Sequence, residues 1–197
     1  MTDPKKLEQC LETIKDVRSV RSYLDKPIEK EVLRNIVDCA RMAPTARNVQ
    51  PWEFVVITDK DLLGKLSEYV PQGAFIKDAP AAIIVFCHKN TEYFLEDGSA
   101  ATQNILVSAR FHDLKSCWIA GYQGAYFEKD KVPMCEGIPC TPIPDLHKMQ
   151  RLIRELFGMP RDLELISVVS LGYSDENPPA DKRSVDEVMH WNRFEEK

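Results

Sequence analysis

The segment Ala81-Ala82-Ile83-Ile84-Val85-Phe86-Cys87 contains no polar side chain. A strand open to water on one side alternates apolar and polar residues. An unbroken apolar run of this length reads as a strand covered on both faces. Such a strand needs apolar layers above and below, so the chain has to build a central sheet with helices on either side. With 197 residues it can do this as one domain, burying about 70% of the surface that its unfolded form exposes.

The segments around this strand can be read in the same way. Leu7, Cys10, Leu11 and Ile14 recur at helical spacing. A second helix is expected over Glu29 to Ala43, with Val32, Leu33, Ile36, Val37 and Ala40 inward, ending before Pro44 because the residue ahead of a proline avoids the helical region. Glu53 to Thr58 reads as a strand, and Asp59 caps a helix carrying Leu62, Leu63, Leu66 and Tyr69. Glu96 to Phe111 predicts a long helix rich in Gly98, Ser99, Ala100, Ala101 and Ala109, small residues that permit close packing. Strands follow at Ser116 to Ala120 and Leu163 to Leu171, with a helix over Asp145 to Phe157 between them, stopped by Gly158 and Pro160. Ser184 and Glu187 form a capping box for a short last helix. The order α, α, β, α, β, α, β, α, β predicts an α+β fold: a central mixed sheet of four to five strands flanked by helices, in a single domain 1–197 with a C-terminal extension over 174–197. Two helices ahead of the first strand argue against a plain doubly wound sheet.

Charge and composition exclude several functions. There are 26 basic and 31 acidic residues, a net charge of −5, and no basic run, which disfavours nucleic acid as a partner. No apolar run reaches the roughly 20 residues that a membrane span needs. The N-terminus has no apolar leader, so a cytoplasmic location is expected. Six cysteines without a CxxC pair read as reduced thiols. Neither G-x-G-x-x-G nor G-x-x-x-x-G-K-[ST] occurs among the eight glycines, so a phosphate would have to be held by side chains.

Two places offer such side chains: Arg18-Ser19-Val20-Arg21 and Lys182-Arg183. Guanidinium forks match phosphate oxygens in pairs, although two solvated basic clusters would look the same. The loop from Ala43 to Trp52 carries Thr45, Asn48 and Gln50 beside a tryptophan. It can hydrogen-bond a planar heteroaromatic ring, or be an ordinary capped turn over a buried Trp. Cys117 lacks a paired base and reads as core, with no side chain marked as catalytic. His88, His112 and His190 stand alone, and Glu8, Glu12 and Asp16 read as a solvated helix face.

Arg18-Ser19-x-Arg21 followed by Pro44-Thr-x-x-Asn-x-Gln-Pro-Trp52 resembles the FMN-dependent nitroreductase family. Further matches follow in order: Lys77 to Val85, Ser99 to Leu106, Ser116 to Gly121, Phe157 to Pro160, Val168 to Tyr173, and Pro178 to Arg183 with His190-Trp191. The similarity spans residues 12–194 and is greatest to the short, single-domain members. It implies an α+β homodimer with FMN at the subunit interface, reduced by NADH or NADPH and reoxidised by a small organic acceptor such as a nitroaromatic or quinone in a ping-pong cycle. Flavin N5 is then the reacting centre.

The same resemblance implies a role for each matched residue. Arg18 and Ser19 match the grip on the phosphate and ribityl chain. Arg21 matches a cation near flavin N1, where reduction places negative charge and a fixed cation raises the potential. Pro44, Thr45, Ala46 and Asn48 match the loop that reaches the flavin from the partner. Ile119, Ala120 and Gly121 match the backbone beside the ring edge, Gln72 the pyrimidine end, and Lys182 and Arg183 a C-terminal phosphate clamp. Two features depart from the family pattern. Val17 stands where a basic residue is common, and residues 131–150 look inserted, a lid, a peripheral loop or a dimer arm holding Cys135, Cys140 and His147. Those three are too few and too oddly spaced for a usual metal site. A related flavin enzyme with a lid, dehalogenating or flavin-fragmenting, and a non-catalytic FMN carrier or redox sensor are the alternatives.

Overall fold

The computed structural model describes residues 3–70, 72–121 and 146–194, with the backbone of 134–135 and 138–139. Its helices are α1 (Pro4–Lys15), α2 (Lys30–Ala40), α3 (Lys60–Tyr69), α4 (Phe94–Phe111), α5 (Leu146–Leu156) and α6 (Val185–Val188). Its strands are β1 (Trp52–Ile57), β2 (Ala81–His88), β3 (Lys115–Ala120), the two-residue pair β4 (Met134–Cys135) and β5 (Ile138–Pro139), and β6 (Leu163–Gly172). The main sheet has the order β1-β2-β6-β3, and all its ladders are antiparallel. Of the mixed character expected from the sequence, the described residues show only one isolated parallel bridge, Ser19 to Ser116. No described helix is long and apolar enough to cross a membrane.

The apolar run behaves as its composition requires. All seven residues from Ala81 to Cys87 are fully buried, and they divide between two cores by strand alternation. Ala81, Ile83, Val85 and Cys87 join Leu33, Ile36 and Ala40 of α2 and Ala101, Ile105 and Ala109 of α4. Ala82, Ile84 and Phe86 join Leu63 and Leu66 of α3 and Met149 and Ile153 of α5. The small residues of α4 are needed on the sheet side: a Cβ on Gly98 would lie 2.8 Å from Ile166 Cγ1 and 2.9 Å from Cys87 Sγ.

Helix ends shift slightly from expectation. Asp59 caps α3 through Leu62 N–H at 2.9 Å, and the Ser184–Glu187 box forms. α2 stops at Ala40 rather than running to Ala43. Met42 and Ala43 instead bond back three residues, to the carbonyls of Cys39 and Ala40, tightening the chain into a turn before Pro44. α4 begins two residues early, at Phe94.

Candidate active site

The segment after α1 runs along the free edge of β3. Val20 N–H donates to the Ser116 carbonyl at 2.9 Å, and Val20 itself is fully buried. This pins Ser19 beside Ser116 and leaves Arg18 and Arg21 on either side of the anchor. Arg18 Nη1 donates to the carbonyls of Lys15 and Val17, which fixes the guanidinium. Arg18 Nε is buried and has no partner, the only such side-chain atom among the described residues. A buried donor of this kind costs about 1–3 kcal/mol if nothing accepts from it. Arg21 lies 5.9 Å above the Phe75 ring, and its backbone N–H, like that of Ser22, donates to Glu176 Oε2 at 3.2 Å. Tyr23 closes the underside, with its hydroxyl 2.7 Å from both the Val20 carbonyl and Ser170 Oγ, and burial raises its pKa. Burial also pushes the Cys117 thiol up, against the pull of Arg21 and Ser19, so this cysteine is a protonated core residue, as expected.

The loop between α2 and β1 holds unusual backbone. Arg47, Asn48 and Gln50 have φ of 54°, 56° and 51°, a left-handed conformation costing roughly 1–2 kcal/mol for each such residue. The shape is held by one bond within the loop and two from outside it. Gln50 N–H donates to Thr45 Oγ1 at 3.3 Å, Ala46 N–H donates to Asp97 Oδ1 at 3.4 Å, and Arg47 pairs with Glu92 at 3.6 Å. Asp97 is buried in the first turns of α4; desolvation pushes its carboxyl up, while the Ala46 N–H acts the other way. Pro44 and Asn48 are exposed, and Thr45 and Ala46 half-buried.

At the end of β3, Ile119 is buried, Ala120 exposed and Gly121 buried. Gly121 N–H donates to the Ile166 carbonyl at 2.9 Å, and its own carbonyl accepts from Gln150 Nε2 at 3.0 Å. Both polar groups of Gly121 are therefore satisfied within the chain, and what it offers a ligand is shape. A Cβ there would meet Leu165 Cγ at 2.5 Å. Gln72, Lys182 and Arg183 are exposed. Among the described residues no hydrogen bond or ion pair joins the 17–23 segment to the 43–50 loop.

Three residues of this region went unmarked in the sequence. Asp97 and Gln150 had a readable signal, because helical spacing puts Asp97 in line with Ala101 and Ile105, and Gln150 with Leu146 and Ile153. Glu176 had none. Two sequence readings need correcting. Asp16 is not a solvated helix residue: it caps α1 and accepts from Arg110 Nε at 2.7 Å. Neither His88 nor His190 stands alone: His88 Nδ1 lies 3.1 Å from Asp162 Oδ2, and the His190 ring lies 4.6 Å from that of Phe194. Of the possible lid over 131–150, Cys140 lies outside the described residues and His147 is exposed on α5. No metal-binding group occurs among the described residues.

Comparison with known proteins covers most of the chain. A family model described as "Nitroreductase family" matches residues 14–98. A protein of Methanothermobacter thermautotrophicus, described as "Putative NADH dehydrogenase/NAD(P)H nitroreductase", is 37% identical over 85% of this chain and 78% of its own. The solved structure of an FMN-dependent nitroreductase from Clostridium difficile R20291 superposes with a TM-score of 0.76 at 31% identity, covering 93% of this chain and 99% of that one. An iodotyrosine deiodinase of Thermotoga neapolitana is 23% identical over 95% of this chain and all of its own. Likeness at this identity and coverage, on the same sheet and helices, means that the chain belongs to the nitroreductase family.

Proposed function

We propose that this chain is an FMN-dependent oxidoreductase that takes electrons from NADH or NADPH and passes them to a small organic acceptor, a nitroaromatic, quinone or similar compound, in two alternating half-reactions at one site. The observation that carries this reading is the buried, unpartnered Nε of Arg18. A fixed cationic donor facing no acceptor fits a phosphate oxygen. The phosphate end of FMN, with about −1.5 to −2 charges at neutral pH, then meets Arg18 and Ser19, with Lys182 and Arg183 closing over it.

When bound, FMN supplies the redox centre, a ring that accepts two electrons and gives them up again. The chain supplies position and charge. Arg21 holds a fixed cation at the electron-rich N1 side, with its guanidinium kept in place by Phe75. Ile119, Ala120 and Gly121 line the ring edge, and Gln72 faces the pyrimidine end. Pro44, Thr45, Ala46 and Asn48 come from a second copy, the role that the resemblance to the family implies for this loop. The site then lies at a homodimer interface. Proton transfer by a side chain is not needed to reduce the ring.

Arg18→Ala tests the reading. Loss of a charged hydrogen bond of roughly 1.5–3 kcal/mol weakens FMN binding about 10- to 150-fold, read by quenching of flavin fluorescence. An unchanged dissociation constant would contradict it. The likeness to an iodotyrosine deiodinase favours a second reading on the same site, reductive dehalogenation. Anaerobic turnover of a halogenated phenol in preference to a nitroaromatic would select it.

A further inference from the structure

We infer that Glu176 is a positioning residue: one carboxylate oxygen fastens the root of the C-terminal extension to the Arg21–Ser22 backbone, and this brings Lys182 and Arg183 to the phosphate end of the site. The inference rests on the FMN reading for its consequence, but the contact itself belongs to the chain alone. Two consecutive N–H groups converge on Glu176 Oε2, both at 3.2 Å, an anion-binding concavity of the kind that neighbouring amides form. Glu176 is in turn set by its own N–H, which donates to Ser174 Oγ at 3.0 Å.

The neighbouring ties end at the same point. Leu24 N–H donates to the Tyr173 carbonyl at 2.8 Å, Lys26 Nζ sits 3.8 Å over the Tyr173 ring, and Lys115 Nζ donates to Asn177 Oδ1 at 3.2 Å. After Asn177 the chain is mostly exposed as far as Arg183. Among the described residues, Glu176 and Asn177 are the last side chains before the basic pair with a hydrogen bond to the body of the chain. Lys182 lies six steps along the chain from Glu176, a tether of at most about 21 Å when fully extended. Holding the root of a short tether keeps the local concentration of its charges high at the Arg18–Arg21 segment. Charge alone would have the opposite effect, because a carboxylate next to an anion site repels the anion. The two roles therefore differ in sign.

The experiment compares wild type, Glu176→Ala, Glu176→Gln and the double variant Lys182→Ala/Arg183→Ala with and without Glu176→Ala. FMN binding is read by fluorescence quenching, and tryptic cleavage after Lys182 and Arg183 is read by mass in the apoprotein. Glu176→Ala is expected to weaken FMN about ten-fold and to speed apoprotein cleavage by a similar factor. Glu176→Gln keeps an acceptor oxygen and stays near wild type in both. In the Lys182→Ala/Arg183→Ala background, Glu176→Ala adds nothing further to the loss of affinity, the non-additivity expected of one unit. Tighter FMN binding in both Glu176 variants, fully additive losses, or unchanged tail cleavage would overturn the inference. A wild type that binds no FMN would defeat the FMN reading instead, and apoprotein cleavage would still decide the clamp.

Discussion

Helices α1 and α2 carry the same kind of apolar periodicity and meet opposite fates. α2 buries Leu33, Ile36 and Ala40 against β2 and α4. No residue of α1 is fully buried: Leu7, Leu11 and Ile14 remain 49%, 46% and 50% exposed. Periodicity therefore shows which face needs cover, and not what provides it. The C-terminal extension resembles α1, with Val185, Trp191 and Phe194 at 66%, 77% and 75% exposure. Isolated exposed apolar residues need no explanation, but a helical stripe and an arm of large side chains mark a surface for association. In the homodimer of the proposed function, this is the surface we expect a second copy to cover.

The largest effect that can test this contrast is in α2. Ile36→Ala removes a fully buried side chain and is expected to cost about 2–5 kcal/mol of unfolding free energy, read by urea denaturation. Leu11→Ala, the matching change in α1, is expected to cost less than about 1 kcal/mol within a protomer and to act on association, so that Leu7→Ser/Leu11→Ser/Ile14→Ser shifts the protein towards monomer in light scattering at dilute concentration. Equal losses of protomer stability at both helices, with unchanged mass, would break the comparison.

A smaller effect concerns how α1 is attached. The Arg110 guanidinium, hydrogen-bonded to Asp16, holds that carboxyl below its ordinary value of 3.8, and Lys115 adds a contact at 3.7 Å. Because the folded value is depressed, the stabilisation is complete above the ordinary value and is lost as pH falls through the folded one. Arg110→Ala should cost about 1 kcal/mol at neutral pH and flatten the acid limb of the stability curve. An acid limb identical to wild type would show that this pair does not hold the helix.

These contrasts also explain how much of the fold and of the site is legible in the sequence. β2 is legible because seven apolar residues in a row have one physical outcome. Arg18, Ser19 and Arg21 are legible as residues, but the bond from Val20 to Ser116 that displays them joins positions distant in sequence. The 44–50 loop shows where local reasoning stops. Arg47, Asn48 and Gln50 take left-handed backbone without a glycine, and only Asn has a local preference for it. The conformation is imposed by Thr45, Asp97 and Glu92. Glu176 is the extreme case, a carboxylate in a polar tail whose partners lie 154 and 155 residues away.

An anaerobic titration of the FMN-loaded protein with NADH and then NADPH, followed at the visible flavin absorption, tests the proposed chemistry most directly. The expected result is bleaching by about one equivalent of reductant per flavin, since one nicotinamide delivers both electrons, with colour restored by a nitroaromatic or quinone. A protein that takes up no FMN, or whose bound flavin stays oxidised with both nucleotides, would contradict it.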